Sequence, residues 1–318
     1  MRKSVILILV LLSVGGVLFG RGTQETGEEV PELAVLLPGS VEFFSVMQDG
    51  MNRAAEDFGV DLTYADAGWD PGLQLSQVEN YVTRGVDMIL LCAGDNQALL
   101  SAVDICQEAG IPLITFTNTI GDRADGFVPG IVTFIGTNEV SLGRMLGEMG
   151  EELLAGEAAK VVLIEGAPGT APQRLRTQGF MEIFDTHDDW ELVYSQAIPG
   201  WTKEGALGAM EAFLQTGQEV NLVVTHWNAA AAAAAMAIEE AGYPEKVYIV
   251  GLEFNTDLVS FIQEGSVDKV TYYSVEELGY TVIENASNYL DGETLPTFVE
   301  IEPFVVDISN VMDVEPEF

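Results

Sequence analysis

The chain has few cysteines, histidines and basic residues. Its 318 residues include two Cys, two His and 13 Lys or Arg, against 50 Asp or Glu. The formal net charge of −37 argues against nucleic acid and anionic membranes as partners, since both repel an acidic surface. The two histidines, His187 and His226, stand alone, so neither a catalytic triad nor a set of metal ligands can be assigned. We therefore expect no enzyme, no metal and no cofactor.

The two cysteines do not predict a disulfide. Cys92 ends an apolar strand-like run, and Cys106 lies late in the helix that follows. That helix carries Cys106 about 15 Å from the helix start, whereas a disulfide needs Cα atoms within about 7 Å of each other. We expect two free, largely buried thiols.

The N-terminus has the pattern of a secretory signal peptide. Arg2 and Lys3 precede a mostly apolar stretch, Val5–Phe19, and small residues follow. We assign 1–22 to the signal peptide, with an uncleaved membrane anchor as the alternative. The polar residues 23–31 are interpreted as a linker. A secreted, extracytoplasmic or periplasmic location follows from this interpretation.

Beyond the linker, apolar strand-like runs alternate with helical patterns. The first run is Leu33–Leu37 and the tenth is Asp268–Tyr272, and the helical patterns extend from Ser45–Phe58 to Val275–Leu290. Such alternation predicts parallel sheets built from right-handed βαβ units. The strands are more numerous than a single sheet readily accommodates. We therefore predict an α/β fold with two doubly wound parallel-sheet lobes.

Two adjacent aromatic residues follow the first strand. Phe43 and Phe44 come after Pro38 and Gly39, in the predicted loop before the first helix. Ligands of open α/β sheets bind at the carboxyl ends of the strands. This position predicts that the two rings stack on a small molecule.

Several short motifs, in this order and spacing, resemble the periplasmic sugar-binding proteins of the ribose-binding type, which are the type I solute receptors of ABC importers. The likeness covers Leu33 to Val306. The motifs that carry it are Phe43–Phe44 with Met47–Gly50, Val82–Asp87, Gly110–Ile114, Ile135–Asn138 with Gly143, and Gly166–Thr170 with Arg174, Arg176, Gly179 and Phe180.

The resemblance implies two lobes joined by a three-stranded hinge. Lobe 1 would comprise 32–137 and 275–302, and lobe 2 would comprise 138–274 and 303–318. A monomer of this kind would capture a small carbohydrate-like ligand between the lobes and deliver it to ABC permease subunits. The alternative is a receptor of the same fold that presents its ligand to a chemoreceptor or sensor kinase.

The resemblance also implies a set of site residues. Phe43 and Phe44 would stack on the ligand from one lobe and Trp201 from the other, with core packing or a helix start as their alternative roles. Arg176, Thr117, Asn118 and Glu253 would form hydrogen bonds, with Arg174 as the alternative to Arg176. The remaining ligand-binding candidates are Cys92, Thr137, Trp227, Asn228 and Ser274.

Some of these positions depart from the family pattern. Thr117–Asn118 stands where the family commonly has an Asp-Arg pair, and Trp227–Asn228 stands where it has Asn-Asp. Compared with the family pattern, these positions thus have fewer charged groups to hydrogen-bond ligand hydroxyls and larger apolar side chains. A deoxy sugar, a polyol, a glycoside or a nucleoside-like ligand fits better than a free aldopentose. For Asn228 we favour a role as the cap of the alanine-rich helix. For Glu253, capping of the next helix and ligand binding are equal alternatives. For Trp69 we favour packing in a turn.

Overall fold

The computed structural model describes residues 30–317. The predicted signal peptide and linker residues 23–29 lie outside this range. The strands are β1 Glu32–Leu37, β2 Asp61–Asp66, β3 Met88–Leu91, β4 Leu113–Phe116, β5 Phe134–Gly136, β6 Ala159–Glu165, β7 Trp190–Ala197, β8 Leu222–Thr225, β9 Tyr248–Gly251, β10 Lys269–Tyr272, β11 Phe298–Glu300 and β12 Phe304–Asp307.

Helices connect most of these strands. They are α1 Glu42–Phe58, α2 Pro71–Arg84, α3 Ser101–Ala109, α4 Glu139–Leu154, α5 Ala171–Phe184, α6 Lys203–Leu214, α7 Asn228–Ala241, α8 Thr256–Glu264 and α9 Val275–Leu290, with a short 3-10 turn at Pro199–Trp201.

The strands form two six-stranded sheets, as the alternating pattern predicts. The strand order is β11-β5-β4-β3-β1-β2 in the sheet of lobe 1 and β12-β10-β9-β8-β6-β7 in the sheet of lobe 2. All pairings are parallel except that of β10 with β12, which is antiparallel. The chain passes between the sheets after β5, after β10 and after β11, which makes the three-stranded hinge.

Continuous apolar runs account for the inner strands. The four residues of β3 are buried, as are Leu33–Leu37 in β1, because helices cover both faces of each parallel sheet. Neither β11 nor β12 has a comparable apolar run. Both are short edge strands with mostly half-exposed residues, and the sequence prediction missed them.

A pair of glycines, one on each helix, brings α4 and α5 of lobe 2 into close backbone contact. A Cβ at Gly143 of α4 would lie 2.1 Å from the backbone oxygen of Arg176, and one at Gly179 of α5 would lie 2.0 Å from that of Val140. Only a residue without a side chain permits this contact. The α4–α5 seam therefore fixes where Arg176 sits.

The starts of α1 and α3 differ most from the sequence prediction. Helix α1 begins at Glu42, so Phe43 and Phe44 lie in its first turn and not in the preceding loop. Helix α3 begins at Ser101, whereas the pattern predicted Gln97. Phe44 is in register with the buried Met47 and Met51 of α1, so the helix includes the aromatic pair. Residues 97–100 form turns ahead of α3, so that helix starts later than its pattern indicates.

The cysteine prediction is confirmed. Cys92 and Cys106 are both free and buried, and burial raises the pKa of the Cys106 thiol to about 12. Across residues 30–317, no helix has the length and apolar character required to span a membrane.

Candidate functional site

A cavity of about 310 Å³ lies where strands of both lobes end. From lobe 1 it is lined by Val41, Glu42, Phe43, Phe44, Trp69, Thr117 and Asn118. From lobe 2 it is lined by Pro172, Arg176, Trp201, Lys203, Trp227, Asn228, Ala229, Glu253, Asn255 and Asp257. Its position at the carboxyl ends of parallel strands is the one expected for a ligand site in this class of fold.

The structure brings most of the sequence-predicted residues to this cavity. Nine of the twelve line it, namely Phe43, Phe44, Thr117, Asn118, Arg176, Trp201, Trp227, Asn228 and Glu253. The other three, Cys92, Thr137 and Ser274, lie outside the lining, and each has a structural environment of its own.

Those three side chains are engaged elsewhere. Cys92 lies in the core beneath β1 and β3, where burial raises the pKa of its thiol. Thr137 donates its hydroxyl to Glu139 Oε1 at 2.6 Å. Ser274 caps α9 by accepting the Glu277 N–H at 2.9 Å, and its hydroxyl also contacts the Glu317 carboxylate. Their positions do not place these polar groups against a ligand in the cavity.

Aromatic rings contribute to both walls. The rings of Phe43 and Phe44 meet edge to face, with centroids 5.4 Å apart, and those of Trp201 and Trp227 do the same at 5.4 Å. Phe44 is also 5% exposed and belongs to the lobe 1 core, so it lines the cavity and fills the core at once.

Trp69 lines the cavity as well. It packs against the lobe 1 core from the turn after β2, so the packing role expected from the sequence and a place in the lining coexist.

Backbone strain is concentrated at the cavity. Within residues 30–317, five non-glycine residues have positive φ, and four of them line the cavity: Trp69, Thr117, Trp201 and Glu253. Left-handed backbone is costly for such residues and persists only where the surrounding structure enforces it, most often at functional sites. Trp201 is held partly by Gly166, where a Cβ would lie 1.9 Å from the indole ring.

Arg176 is the centre of a buried charged cluster. Its Nε lies 2.5 Å from Glu139 Oε2, its Nη1 donates to the backbone oxygen of His226, and the same Nη1 lies 3.6 Å from Glu253 Oε1. Its guanidinium carbon also lies 5.6 Å from the centroid of the Trp201 ring. One cation is therefore shared by two carboxylates and stacked beside an indole.

The pKa shifts in the cluster follow from burial and from these charges. Burial opposes the charged form of Arg176, but Glu139 and Glu253 outweigh it and raise the pKa, so the guanidinium stays charged. Burial raises the pKa of Glu253 to about 7, with Arg176 opposing the shift and Glu139 adding to it.

His226 has a structural role in the cluster. Burial and then Arg176 lower the pKa of its imidazole, so the ring is neutral, and its Nδ1 accepts the Gly166 N–H at 3.3 Å.

The choice between the two arginines is decided by position. Arg176 is 3% exposed and lines the cavity. Arg174 lies outside the lining, with its side chain 39% exposed, and reaches Asp122 of lobe 1 at 3.7 Å. Arg174 therefore makes a contact between the lobes beside the cavity.

The favoured capping role of Asn228 is wrong, and Glu253 does not take its alternative capping role either. Helix α7 starts at Asn228 itself, with Trp227 at the cap position, and Asn228 Oδ1 accepts the N–H of the next residue. Helix α8 is capped by Asn255 Oδ1, which accepts the Leu258 N–H at 3.2 Å, so Glu253 is not its cap. The Asn228 and Glu253 side chains line the cavity instead.

Sequence reasoning missed several lining residues. Lys203 and Asp257 form an ion pair at 3.2 Å across two helix starts of lobe 2, and Asn255 lies between β9 and α8. The available signal was position: each residue closely follows a strand of the lobe 2 sheet, at the edge where the predicted site lies.

Comparison with known proteins agrees with this geometry. The sequence profile of a family described as periplasmic binding protein domain matches residues 33–294. The chain belongs to this family. Ribose import binding protein RbsB of Haemophilus influenzae is 28% identical over 265 residues, which cover 83% of this chain and 87% of that protein.

Solved structures show the same fold. An ABC transporter solute-binding protein from Bacillus halodurans C-125 with bound myo-inositol superposes with a TM-score of 0.82 and 26% identity, covering 91% of this chain and 98% of the other. The arabinose-binding component of an ABC transporter from Shewanella sp. ANA-3 gives a TM-score of 0.80 at 22% identity, with coverage of 89% and 93%. The type I fold with two parallel-sheet lobes is thus shared with solute-binding proteins.

Proposed function

We propose that this protein captures a small carbohydrate-like ligand in the cavity between its lobes for import by an ABC transporter. The observation that carries the proposal is the cavity itself, with aromatic rings and polar groups from both lobes around a volume of about 310 Å³. Small-ligand sites combine apolar walls with a few placed polar groups in this way, and their volumes begin at roughly 300 Å³.

The chemistry of the walls suits a cyclic polyol. Such a molecule has C–H-rich faces that pack on aromatic rings and hydroxyl edges that need hydrogen-bond partners. Phe43 and Trp201 would supply the faces, while Arg176, Asn118 and Glu253 would supply partners. Ribose and myo-inositol, which the names of the two relatives above mention, are ligands of this class.

The proposal includes a location and partners. The protein would work outside the cytoplasm as a monomer, and its closed, ligand-bound form would dock on ABC permease subunits. Hinge closure about the three crossings would bring the two walls onto the ligand. The predicted signal peptide supports this location. Binding and delivery without chemical turnover would make it a carrier and not an enzyme.

A thermal-shift panel of sugars, polyols and nucleosides tests the ligand class. A ligand that binds only the folded protein raises its melting temperature by mass action. We expect a concentration-dependent rise for at least one sugar or polyol. A flat response to every sugar and polyol, or a response to nucleosides alone, would contradict the proposed ligand class.

Substitution of Trp201 tests the site. Trp201→Ala removes a wall of the cavity and is expected to weaken binding at least about tenfold, or about 1.4 kcal/mol. Trp201→Phe keeps an aromatic face and should retain part of the affinity. Leu192→Ala is the control, because Leu192 is 38% exposed on β7 and outside the lining. Unchanged affinity in Trp201→Ala would contradict the assignment of this cavity as the binding site.

A further inference from the structure

The lobe 2 wall of the cavity contains a buried carboxylate that is only partly neutralised. Arg176 gives its Nε to Glu139 at 2.5 Å and donates Nη1 to the backbone oxygen of His226. The Glu253 carboxylate stands farther off, at 3.6 Å, with its side chain 12% exposed. Two carboxylates thus share one guanidinium, and the cluster is negative whenever Glu253 is ionised. A buried charge of this kind is stable only with a partner or a proton.

The other charged groups of the lining do not neutralise the excess negative charge of this cluster. Lys203, the second cation there, is paired with Asp257 at 3.2 Å. Glu42 adds a further carboxylate from lobe 1 and has no ion-pair partner within residues 30–317. With a net charge of −37 on the whole chain, the field at the cavity favours approach of a cation.

The aromatic walls suit a cation too. Three tryptophans line the cavity, and indole faces bind ammonium and guanidinium groups most strongly among aromatic side chains. The wall already contains one such contact, because the Arg176 guanidinium lies 5.6 Å from the centre of the Trp201 ring. Trp69 lines the cavity from lobe 1 and adds a second indole to the lining, while Trp227 is nearly buried beside Trp201.

One hydrogen-bond donor in the lining requires an acceptor and not a cation. Trp227 is 4% exposed, and its indole Nε1–H has no hydrogen-bond partner within the described part of the chain. A buried indole N–H normally finds an acceptor. A ligand oxygen would give this N–H the acceptor that it lacks, whereas a ligand with only a cationic group would leave it unsatisfied.

We propose that the natural ligand is an amino-substituted sugar or cyclic polyol, whose protonated amine pairs with Glu253 and whose oxygens accept from donors such as Trp227 Nε1. This proposal rests on the proposed function and narrows its ligand class. The competing account is a neutral ligand, with Glu253 carrying a proton of its own and bonding a hydroxyl. Burial raises the pKa of the Glu253 carboxyl to about 7, with Arg176 opposing the shift, so its protonated and ionised forms are close in free energy near neutral pH.

Isothermal titration calorimetry with matched pairs distinguishes the two accounts. The probes are D-glucose, D-galactose and myo-inositol, each beside its monoamino counterpart and the N-acetylated form of that amine. We expect at least one amine to bind about tenfold or more tightly than its hydroxyl parent. N-acetylation removes the positive charge and should abolish the preference.

The Glu253→Gln variant tests whether a preference for the amine over its hydroxyl parent depends on this carboxylate. Gln has nearly the shape of the protonated side chain, so the fold should be retained, and the amine should lose its advantage over the parent. Asp268→Asn is the matched control, since Asp268 is similarly buried, at 13% side-chain exposure, and pairs with Lys246 at 2.9 Å outside the lining. That variant should keep the preference.

Each outcome separates this proposal from the broader one. If the hydroxyl parents bind as tightly as the amines, or if the preference survives in Glu253→Gln, the amino-ligand proposal fails and the carbohydrate-binding function stands. An equal loss of both members of a pair in Glu253→Gln also overturns it. If none of the amines binds, the amino-ligand proposal fails, and the thermal-shift panel decides the carbohydrate-binding function separately.

Discussion

The two walls of the cavity differ in kind. Lobe 1 contributes Phe43, Phe44 and Trp69 with two neutral polar residues, and its one charged group, Glu42, is exposed. Lobe 2 also contributes two aromatic rings, Trp201 and Trp227, and adds the ion pair of Lys203 with Asp257 and the buried charged cluster of Arg176. The comparison indicates that both walls offer aromatic surface and that the paired charges come from the lobe 2 wall. Closure of the hinge would bring both walls into contact with one ligand molecule.

Removal of the buried cation should produce the largest effect. Arg176→Met leaves Glu139 and Glu253 close together without their guanidinium, and breaking a buried pair in this way costs about 3–5 kcal/mol. We expect a loss of that order in the free energy of unfolding, measured by urea titration. Arg84→Met is the control, because its pair with Glu32 is exposed and contributes about 1 kcal/mol at most. Equal losses in the two variants would contradict the central place of Arg176 in lobe 2.

A smaller loss is expected at the seam that positions the charged wall. In Gly143→Ala the new Cβ would lie 2.1 Å from the Arg176 backbone oxygen, so α5 must move away from α4. Such overpacking costs about 1–3 kcal/mol. Gly208→Ala is the matched control in α6, where a Cβ meets nothing within 4 Å, and it should gain up to about 1 kcal/mol. Thermal melts that shift in the same direction for both variants would refute this account of the seam.

The third effect depends on pH. The pKa of Glu253 is raised from 4.5 to about 7 in the folded protein, so the folded state holds this proton more tightly than the unfolded chain. The stabilisation is fully present below pH 4.5 and is lost as the pH rises through about 7. Wild-type stability should therefore fall relative to Glu253→Gln between about pH 5 and about pH 8.

The difference between the two proteins isolates Glu253. His226 titrates in the opposite sense, because its pKa is lowered and its protonation at low pH opposes folding, but it is present in both. Tyr273, also close to the cluster, has a pKa raised well above 10.0 and stays neutral in this window. Stability curves that run parallel for wild type and Glu253→Gln would show that Glu253 does not titrate there.

The fold could be predicted because its signals are local. Inner strands such as β3 are continuous apolar runs, and helices such as α2 begin at a capping Asp and end at a glycine. The edge strands β11 and β12 could not be recognised, since they are three and four residues long and mostly half-exposed. Their place in a sheet is decided by pairing with distant strands.

The site could be predicted only in part. An aromatic pair after the first strand indicated Phe43, and the family resemblance indicated Trp201. The left-handed backbone of Trp69 and Glu253 has no counterpart in residue type. Ser274 illustrates the opposite case. Its position in the chain suited a ligand contact, yet tertiary structure brings Glu317 to the same helix start and engages the hydroxyl there.

Tryptophan fluorescence tests the central claim most directly. Three of the four tryptophans line the cavity, and the fourth, Trp190, lies in the lobe 2 core. Titration with the sugar, polyol and amino-sugar panel should give a saturable change in emission for at least one compound. The change should persist in Trp190→Phe, and its midpoint should match the calorimetric affinity. Binding detected by calorimetry without any change in emission would contradict the assignment of the ligand to this cavity.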